Sequence, residues 1–535
     1  MAIAIDFGTS NTAVARWNPV TEKPETLKLP QLSVQQGQNP PLIPSLVYVE
    51  DAANGKIIAG KTVLDRGLDL KSDARFFRSF KRGIGSDVRG FLPEIDDRTV
   101  TFEQVGEWFV AQIAAAIQAV PLPLDSLILT VPVDSFEFYR HWLGTVCDGL
   151  NIDRVRMLDE PTAAALGYGV ENRGLLLVVD FGGGTLDLSL VRLDGDSQNK
   201  TSNKTPLGFI LKWGDKSFAE QSSQRVKTAR VLAKSGQNLG GTDIDNWLVD
   251  YFHTQQNLPK NTLTTRLAER LKIQLSLQQK ASEVYFNDET FESYELELDR
   301  DKFEAILKER QFFDLLDESM TQVLQQARRQ GIETGDIDAV LLVGGTVQIP
   351  AVRTWIEGYF PAEKIRGDRP LDAIATGALQ LSQGLEIKDF LYHGYGIRYW
   401  DRRRNTHSWH PIIKSGQPYP MAEPVKLVLG ASMENQPQIE LVLGELGNST
   451  GGTEIYFDGD RLITRQVSDT QAAVQPLNDT ESGRTIAQLN PPGSPGRDRI
   501  EIQFRIDDRR FLRISVEDLL TTETLLDDFP VIQLS

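Results

Sequence analysis

The sequence contains very little cysteine and histidine. Cys147 is the one cysteine among 535 residues, and the five histidines do not show the spacing of a zinc site. A lone cysteine excludes an intramolecular disulfide and a cysteine-based metal cluster, and it is typical of proteins in reducing compartments. We therefore expect a cytoplasmic protein without a structural zinc site.

Long apolar runs and clustered basic residues are also scarce. The apolar runs are far shorter than the ~20 residues that a membrane-spanning helix needs, and the N-terminus lacks the features of a signal peptide. The 57 lysines and arginines are outnumbered by 74 aspartates and glutamates, so the net charge is −17. This charge disfavours nucleic acid and anionic membranes as partners. We expect a soluble, unprocessed protein that binds neither.

Two kinds of hydrophobic periodicity divide the chain. Up to about residue 385, buried apolar strands alternate with helical patterns, such as those over residues 103–120 and 303–329. From about residue 394, short strands separated by turns replace the helical pattern. The sequence therefore predicts an α/β domain over residues 1–385, a linker over residues 386–393 and an all-β domain over residues 394–535.

The most informative pattern occurs twice, as DFGTSN at residues 6–11 and as DFGGGT at residues 180–185. Each copy follows an apolar run and precedes an alternating stretch, which predicts a strand, a tight turn and a second strand. Glycines allow the backbone N–H groups of such a turn to approach a phosphate, whereas an aspartate at the strand end requires an intervening cation. The two hairpins therefore predict two half-domains that face a nucleotide with magnesium.

Small-residue helices and a glycine turn accompany these hairpins. Residues 159–169 begin a helix near Pro161, and residues 371–378 form a similar small-residue helix. The pair predicts a hinge between two lobes, and ordinary tight packing is the alternative. The buried strand before Gly344 and Gly345 predicts a turn whose backbone approaches a flat ligand.

A literal P-loop pattern at residues 55–62 does not have the context of a P-loop. A P-loop follows a buried strand and opens a helix. Here Asn54 and Gly55 predict a hairpin turn, and residues 56–59 predict the returning strand. We therefore reject this pattern as a phosphate site.

Taken together, the motifs resemble the seventy-kilodalton heat-shock chaperone family of the DnaK type, within the actin-like ATPase superfamily. The resemblance extends over nearly the whole chain and includes, in the family's order, residues 6–11, 44–45, 81–85, 130–132, 160–165, 180–185, 239–243, 269–272 and 343–345. It implies an α/β, two-lobed, actin-like ATPase domain followed by a small all-β sandwich. The implied cofactors are ATP or ADP and Mg²⁺.

The resemblance implies three residues beside the transferred phosphate. Lys81 would lie near the γ-phosphate and the attacking water, where its charge would offset that of the transferred group. Glu160 and Thr185 would position the attacking water and the γ-phosphate. All three would act as catalytic residues.

The resemblance also implies the remaining ligand contacts. Asp6, Asp180 and Asp187 would be catalytic by holding magnesium, largely through its water ligands. For Asp187 the alternative is a solvent-facing strand residue without this role. The residues that would cradle the phosphates are Gly8, Thr9, Ser10, Asn11, Gly182, Gly183 and Gly184. Those that would line the nucleoside pocket are Gly240, Gly241, Glu269, Lys272, Ser276, Gly344 and Gly345.

Three positions depart from the family pattern near the expected adenosine site. Gln348 replaces a usual arginine, Val347 replaces a hydroxyl residue, and Leu371 replaces a usual aspartate. We expect these changes to affect nucleotide affinity more than hydrolysis, because the catalytic positions are retained.

The second domain resembles the family's peptide-binding β-sandwich. The matching stretches are residues 410–420, 425–431, 434–441 and 500–516. Such a sandwich can take an extended peptide through backbone hydrogen bonds and apolar pockets, and the alternative is a sandwich that packs only on the ATPase domain. No helical lid follows the last β segment, so we expect peptide binding to be weak and to exchange quickly.

The sequence therefore predicts an ATP-hydrolysing chaperone-like protein in which the linker couples nucleotide state to peptide binding. Its partners would be unfolded or extended polypeptide segments, together with J-domain and nucleotide-exchange co-chaperones. A nucleotide-gated scaffold for one dedicated protein partner is the alternative, and stimulation of ATPase activity by generic unfolded peptides distinguishes the two. A sugar or acetate kinase shares the fold, but the segment around Lys81 and the attached β domain argue against it.

Overall fold

The computed structural model describes most of the chain. The described residues are 2–18, 20–70, 72–85, 92–120, 126–132, 136–148, 155–169, 174–194, 228–288, 290–383, 391, 394–401, 406–414, 417, 419–421, 423–446, 452–458, 461–467, 474–478, 485–507 and 510–534. The chain forms two compact units, Met1–Ile387 with Thr453–Val467, and Lys388–Gly452 with Ser468–Ser535. The expected linker lies outside the described residues except for Leu391. The linker and the domain boundaries therefore stay predictions.

The described part of the chain up to residue 383 has the expected α/β composition. Its strands are β1 (Ala2–Asp6), β2 (Asn11–Asn18), β3 (Lys23–Thr26), β4 (Ile43–Pro44), β5 (Leu46–Asp51), β6 (Lys56–Ala59), β7 (Phe76–Arg78), β8 (Glu94–Ile95), β9 (Arg98–Thr99), β10 (Ser126–Val131), β11 (Val155–Asp159), β12 (Gly174–Phe181), β13 (Leu186–Asp194), β14 (Thr228–Gln237), β15 (Lys280–Asn287), β16 (Glu292–Asp299), β17 (Ala339–Val343) and β18 (Ile365–Arg366). Its α-helices are α1 (Lys61–Asp65), α2 (Phe102–Gln118), α3 (Phe136–Asp148), α4 (Glu160–Gly167), α5 (Gly241–Gln256), α6 (Thr262–Leu277), α7 (Arg300–Glu309), α8 (Phe312–Arg329), α9 (Pro350–Glu357) and α10 (Ala373–Ala378). None of the described helices is long and apolar enough to cross a membrane.

The predicted helices are present, with one correction. The pattern over residues 103–120 forms α2, which begins with a capping box between Thr101 and Gln104. The prediction of one helix over residues 303–329 was wrong, because the chain breaks between α7 and α8 at Gln311, whose φ is 56°. The break places the buried Phe312 in the core, where its ring stacks on Phe181 at 5.8 Å.

Two large sheets repeat one topology, as the duplicated hairpin motif predicts. The first has the strand order β11-β10-β1-β2-β3, and the second has the order β18-β17-β12-β13-β14. In each sheet an antiparallel hairpin, β1–β2 or β12–β13, extends a set of parallel strands. Asp6 and Asp180 therefore occupy equivalent positions, at the carboxyl ends of β1 and β12.

The two small-residue helices, α4 and α10, cross at backbone contact. A Cβ atom on Gly167 would lie 1.9 Å from the carbonyl oxygen of Ala373. A Cβ atom on Gly377 would likewise lie 1.9 Å from the carbonyl oxygen of Ala163. The predicted close packing is confirmed, and its use as a hinge stays a prediction.

The described part of the chain from residue 394 onward is all-β, as expected. Its strands are β19 (Gly394–Asp401), β20 (Thr406–Ile413), β21 (Val425–Gly430), β22 (Gln436–Glu440), β23 (Leu443–Leu446), β24 (Gly452–Asp458), β25 (Arg461–Val467), β26 (Val474–Pro476), β27 (Thr485–Gly493), β28 (Asp498–Ile506), β29 (Phe511–Asp518) and β30 (Glu523–Gln533). The sheets β20-β19-β23-β26 and β21-β28-β29-β30 contribute to one core, which includes Tyr395, Leu443, Phe504 and Leu512. Two sheets around one core are typical of a β-sandwich.

Candidate functional site

The two duplicated turns face and touch each other. A Cβ atom on Gly183 would lie 2.0 Å from the Ser10 hydroxyl oxygen, and one on Gly184 would lie 2.7 Å from the Thr9 hydroxyl oxygen. A Cβ atom at either glycine would force these side chains to rotate or the turns to shift. Glycine therefore leaves room for Thr9 and Ser10 between the two loops.

Hydroxyl groups anchor both turns in the same way. The Ser45 hydroxyl donates to the carbonyl oxygen of Gly8 at 2.7 Å. The Thr346 hydroxyl donates to the carbonyl oxygen of Gly182 at 2.8 Å. Sequence reasoning missed the role of Thr346, although its position directly after Gly345 and the equivalent topology of the two sheets provide a signal for it.

The turns open into a cavity of about 860 Å³ within the first unit. Its lining brings together most of the residues that the sequence singled out. These are Asp6, Gly8, Thr9, Ser10, Asn11, Lys81, Glu160, Asp180, Gly182, Gly183, Thr185, Gly241, Glu269, Lys272, Ser276, Gly344 and Gly345.

Three of the predicted site residues do not line this cavity. Gly184 packs against Thr9, and a Cβ atom on Gly240 would lie 2.4 Å from the carbonyl oxygen of Gly183. Gly184 therefore lies between the two turns, and Gly240 packs against the backbone of the second turn. Asp187 is half-buried and lies directly opposite Asp180 in the antiparallel register of β12 and β13. It lines a separate small cavity together with Asp180 and Glu160.

Lys81 is held between an acidic group and two aromatic rings. Its Nζ atom lies 3.1 Å from Oε1 of Glu160, and 5.5 and 5.7 Å from the ring centroids of Phe7 and Tyr139. The Tyr139 hydroxyl donates to the Lys81 carbonyl oxygen at 2.9 Å. Burial has the largest single effect and favours the neutral amine, but the combined effect of Glu160, Tyr139 and Asp6 outweighs it and raises the pKa of Lys81 above its ordinary value. Lys81 therefore stays cationic at neutral pH.

An excess of carboxylates surrounds Lys81. Burial, and then repulsion from Glu160, raises the pKa of Asp6 to about 7. Burial and the neighbouring Glu160, Asp187 and Asp6 raise the pKa of Asp180 well above its ordinary value. Asp6, Glu160 and Asp180 outnumber the single lysine beside them, which favours an added cation, and oxygen donors suit Mg²⁺. In the described part of the chain no three acidic, histidine or cysteine side chains form a direct ligand set. Binding of magnesium by Asp6, Asp180 and Asp187 through its water ligands therefore stays a prediction.

The raised pKa of Asp6 makes the stability of the nucleotide-free protein dependent on pH. Because folding raises this pKa from 3.8 to about 7, the folded protein binds more protons than the unfolded chain between these pH values. Stability contributed by Asp6 is therefore lost as pH rises from about 4 to about 7. We expect the difference in unfolding free energy between wild type and Asp6→Asn to fall by on the order of 2 kcal/mol over this range.

Urea unfolding of both proteins at several pH values, without nucleotide, measures this difference. Acidic groups that do not interact with Asp6 cancel because they are common to both proteins, whereas the pKa of Asp180, which Asp6 raises, changes with the substitution. A difference that is constant from pH 4 to pH 7 would contradict the assignment. Saturating Mg²⁺ and nucleotide should reduce the dependence, because a bound cation favours the ionised carboxylate.

Ion pairs join segments that are distant in sequence around the cavity. Arg82 is bidentate to Asp243, with both nitrogen–oxygen distances at 3.1 Å. Arg266 of α6 pairs with the buried Asp69 at 2.5 Å, and both residues line the cavity. Within the first unit, these pairs join segments that are 161 and 197 residues apart. Sequence reasoning missed Asp69 and Arg266, because 197 residues separate them and neither belongs to a motif.

The pair of Asp69 and Arg266 should slow nucleotide release. Removing one partner of a buried pair weakens the contact strongly. We expect Arg266→Ala and Asp69→Asn each to accelerate release of a fluorescent ADP analogue by about tenfold, measured by stopped flow. Asp65→Asn is the control, because Asp65 forms an exposed pair with Lys61. Equal release rates for all four proteins would show that the bridge does not restrict the cavity.

The rejected P-loop pattern has the predicted hairpin structure. β5 and β6 are antiparallel, and four residues of the pattern form β6 itself. Lys61 pairs with the exposed Asp65 and does not line the cavity. Residues 55–62 therefore do not form a phosphate loop.

The three departures from the family pattern lie at one end of the cavity. Gln348 and Leu371 line it, and Val347 is buried behind it. Lys272, by contrast, is engaged by Asp245 at 2.7 Å and by the Gly241 carbonyl oxygen at 2.8 Å. Its present contacts fix α6 against the start of α5.

Comparisons with known proteins agree with this geometry. The family described as Hsp70 protein matches residues 143–208 and 227–391. The chaperone protein DnaK of Picrophilus torridus is 26% identical to this chain over 97% of the chain and 76% of its own length. DnaK of Thermosipho africanus is 25% identical over 97% of this chain and 78% of its own length. Residues 143–208 and 227–391 therefore match the Hsp70 family, and the chain is similar to the DnaK chaperones over nearly its whole length, which confirms the resemblance that its motifs indicate.

Proposed function

We propose that the cavity of the first unit binds Mg²⁺-ATP and hydrolyses it to ADP and phosphate. The observation that carries this proposal is the pair of glycine turns that meet at the cavity, which Lys81, Asp6, Glu160 and Asp180 also line. The cavity of about 860 Å³ lies within the range of small-molecule sites. The relationship to DnaK supports the same activity.

The side chains around the cavity suggest how hydrolysis would proceed. The backbone N–H groups of the two turns would bind the phosphate oxygens and orient the γ-phosphate. Glu160 holds Lys81 in place. A water oxygen would attack the γ-phosphorus of ATP, and the oxygen that bridges the β- and γ-phosphates would leave with ADP. The Lys81 ammonium group would stabilise the negative charge on the phosphoryl group during this transfer. Thr185 would orient the γ-phosphate. Asp6, Asp180 and Asp187 would hold magnesium, which would supply charge neutralisation at the phosphates.

The finer proposal concerns the second unit. We propose that its β-sandwich binds unfolded or extended polypeptide and that residues 386–393 transmit the nucleotide state to it. The relationship to the DnaK chaperones and the sandwich architecture support this proposal. J-domain and nucleotide-exchange co-chaperones are the proposed further partners, and the single cysteine supports a reducing, cytoplasmic location.

Single-turnover hydrolysis of ATP with magnesium, with and without an unfolded polypeptide, tests this function. We expect hydrolysis that unfolded polypeptide accelerates. Hydrolysis that no unfolded polypeptide accelerates would support the scaffold for a dedicated partner instead. A protein that does not bind ATP would contradict both.

A further inference from the structure

A polar loop of the first lobe lies at the cavity and has no role in phosphate binding. It spans residues 35–41, and Val34 and Leu42 close its base with two backbone hydrogen bonds of 2.7 and 2.9 Å. Within it, the Asn39 N–H donates to the Gln36 carbonyl oxygen at 3.0 Å, and Gly37 adopts a positive φ of 56° at the tip. The loop is therefore ordered by its own backbone before any ligand binds.

The loop and Gln348 line the same cavity. Leu42, at the base of the loop, packs against the core cluster that contains Ile374, and Ile374 also lines the cavity. The carbonyl oxygen of Pro370 accepts a hydrogen bond from the Gly344 N–H at 2.7 Å, and Gln348 follows this glycine turn. The loop, Leu371 and Gln348 therefore all border one cavity.

Carboxamides are available for a ligand here, whereas nearby charged groups are already engaged. Gln36, Gln38, Asn39 and Gln348 all line the cavity and are exposed, and their side chains make no hydrogen bond to any residue that the structure describes. On the facing helix α6, the basic side chains are paired: Arg266 with Asp69, Arg270 with Glu283 and Lys272 with Asp245.

Aliphatic side chains also line the cavity. They are Leu371 and Ile374, together with Ile273 and Leu277 of α6, whose exposed fractions are 44% and 81%. Exposed apolar side chains that line a cavity suit a flat, weakly polar group, and a nucleobase has this character.

We propose that these carboxamides form a clamp around the nucleoside, and that the clamp accepts purine nucleoside triphosphates with either an amino or an oxo group on the base. This inference rests on the proposed nucleotide site. A carboxamide carries both a donor and an acceptor, so by turning about its terminal bond it can pair with the amino group of adenine or the oxo group of guanine. Aliphatic contacts do not distinguish the two bases. Specificity for ATP over GTP is therefore low.

Equilibrium binding of ATP, GTP and inorganic tripolyphosphate, each with magnesium, tests the clamp. We expect wild type to bind ATP and GTP within about tenfold of each other and both more tightly than tripolyphosphate. We expect Gln348→Leu, and a variant with Gln36→Ala, Gln38→Ala and Asn39→Ala together, each to weaken both nucleotides by about tenfold. Tripolyphosphate binding should be unchanged in both variants, because it has no nucleoside.

Gln35→Ala is the matched control, because Gln35 belongs to the same exposed loop but does not line the cavity. Thermal unfolding of each variant checks that folding is unchanged.

Binding of ATP more than about a hundredfold tighter than GTP would overturn the clamp. The clamp would also be overturned if the variants lost equal affinity for nucleotide and for tripolyphosphate, or if neither variant lost affinity for the nucleotides. If wild type binds ATP and GTP no more tightly than tripolyphosphate, the clamp is wrong but the phosphate site is not. If none of the three ligands binds, the proposed function is wrong as well.

Discussion

Replacing Lys81 by alanine is expected to slow single-turnover ATP hydrolysis about 100- to 1,000-fold, because one preorganised charge at a developing negative charge contributes a factor of this size. The Lys81 ammonium is fixed by Glu160 at 3.1 Å and stays cationic at neutral pH because its neighbours outweigh the effect of burial and raise its pKa. ATP binding should change much less, since the glycine turns hold the phosphates through their backbones. Rapid-quench measurement of phosphate release from enzyme in excess of ATP isolates the chemical step.

Lys61→Ala is the control for this substitution. Lys61 belongs to the literal P-loop pattern, but it pairs with Asp65 at the surface and does not line the cavity. We expect this variant to hydrolyse ATP at the wild-type rate. Loss of hydrolysis in Lys61→Ala with normal hydrolysis in Lys81→Ala would reverse the assignment of the two segments.

Replacing Gly377 by alanine is expected to destabilise the first unit by about 2–3 kcal/mol, because added atoms in a tightly packed crossing force the backbone to shift. Its Cβ atom would lie 1.9 Å from the Ala163 carbonyl oxygen and 2.4 Å from the Gly167 nitrogen. Both are backbone atoms, so no side chain can rotate to make room. Urea unfolding followed by circular dichroism measures the loss.

Gly335→Ala provides the comparison for Gly377→Ala. No heavy atom lies within 4 Å of the Cβ position of Gly335. The substitution should change the unfolding free energy by less than about 0.5 kcal/mol. Equal unfolding free energies for Gly377→Ala and Gly335→Ala would contradict this prediction. They would mean that the α4–α10 crossing accommodates an added methyl group by a small shift of the helices.

Local patterns in the sequence predict the elements that carry the phosphate turns. The duplicated motif predicts two strand–turn–strand units, which are β1–β2 and β12–β13, because alternation and glycine content are properties of short segments. The break at Gln311 was not predicted. Helical periodicity continues through it without glycine or proline, and burial of Phe312 in the core overrides the local preference for helix.

Contacts between distant segments could not be predicted from local patterns. Asp69 and Arg266 are separated by 197 residues, and an aspartate or an arginine in isolation is most often a solvated surface residue. The Thr346 hydroxyl bond to Gly182 depends on the pairing of β12 with β17, which brings the glycine turn against the hairpin turn. Such contacts become visible only when the strand order is known.

The most direct test of the account is single-turnover hydrolysis of Mg²⁺-ATP by the wild-type chain, measured with and without an unfolded polypeptide. The account predicts that bound ATP is converted to ADP and phosphate, and that the unfolded polypeptide increases the rate. If the protein binds ATP but leaves it intact under both conditions, the acids and Lys81 do not form a hydrolytic site, and the central claim is wrong.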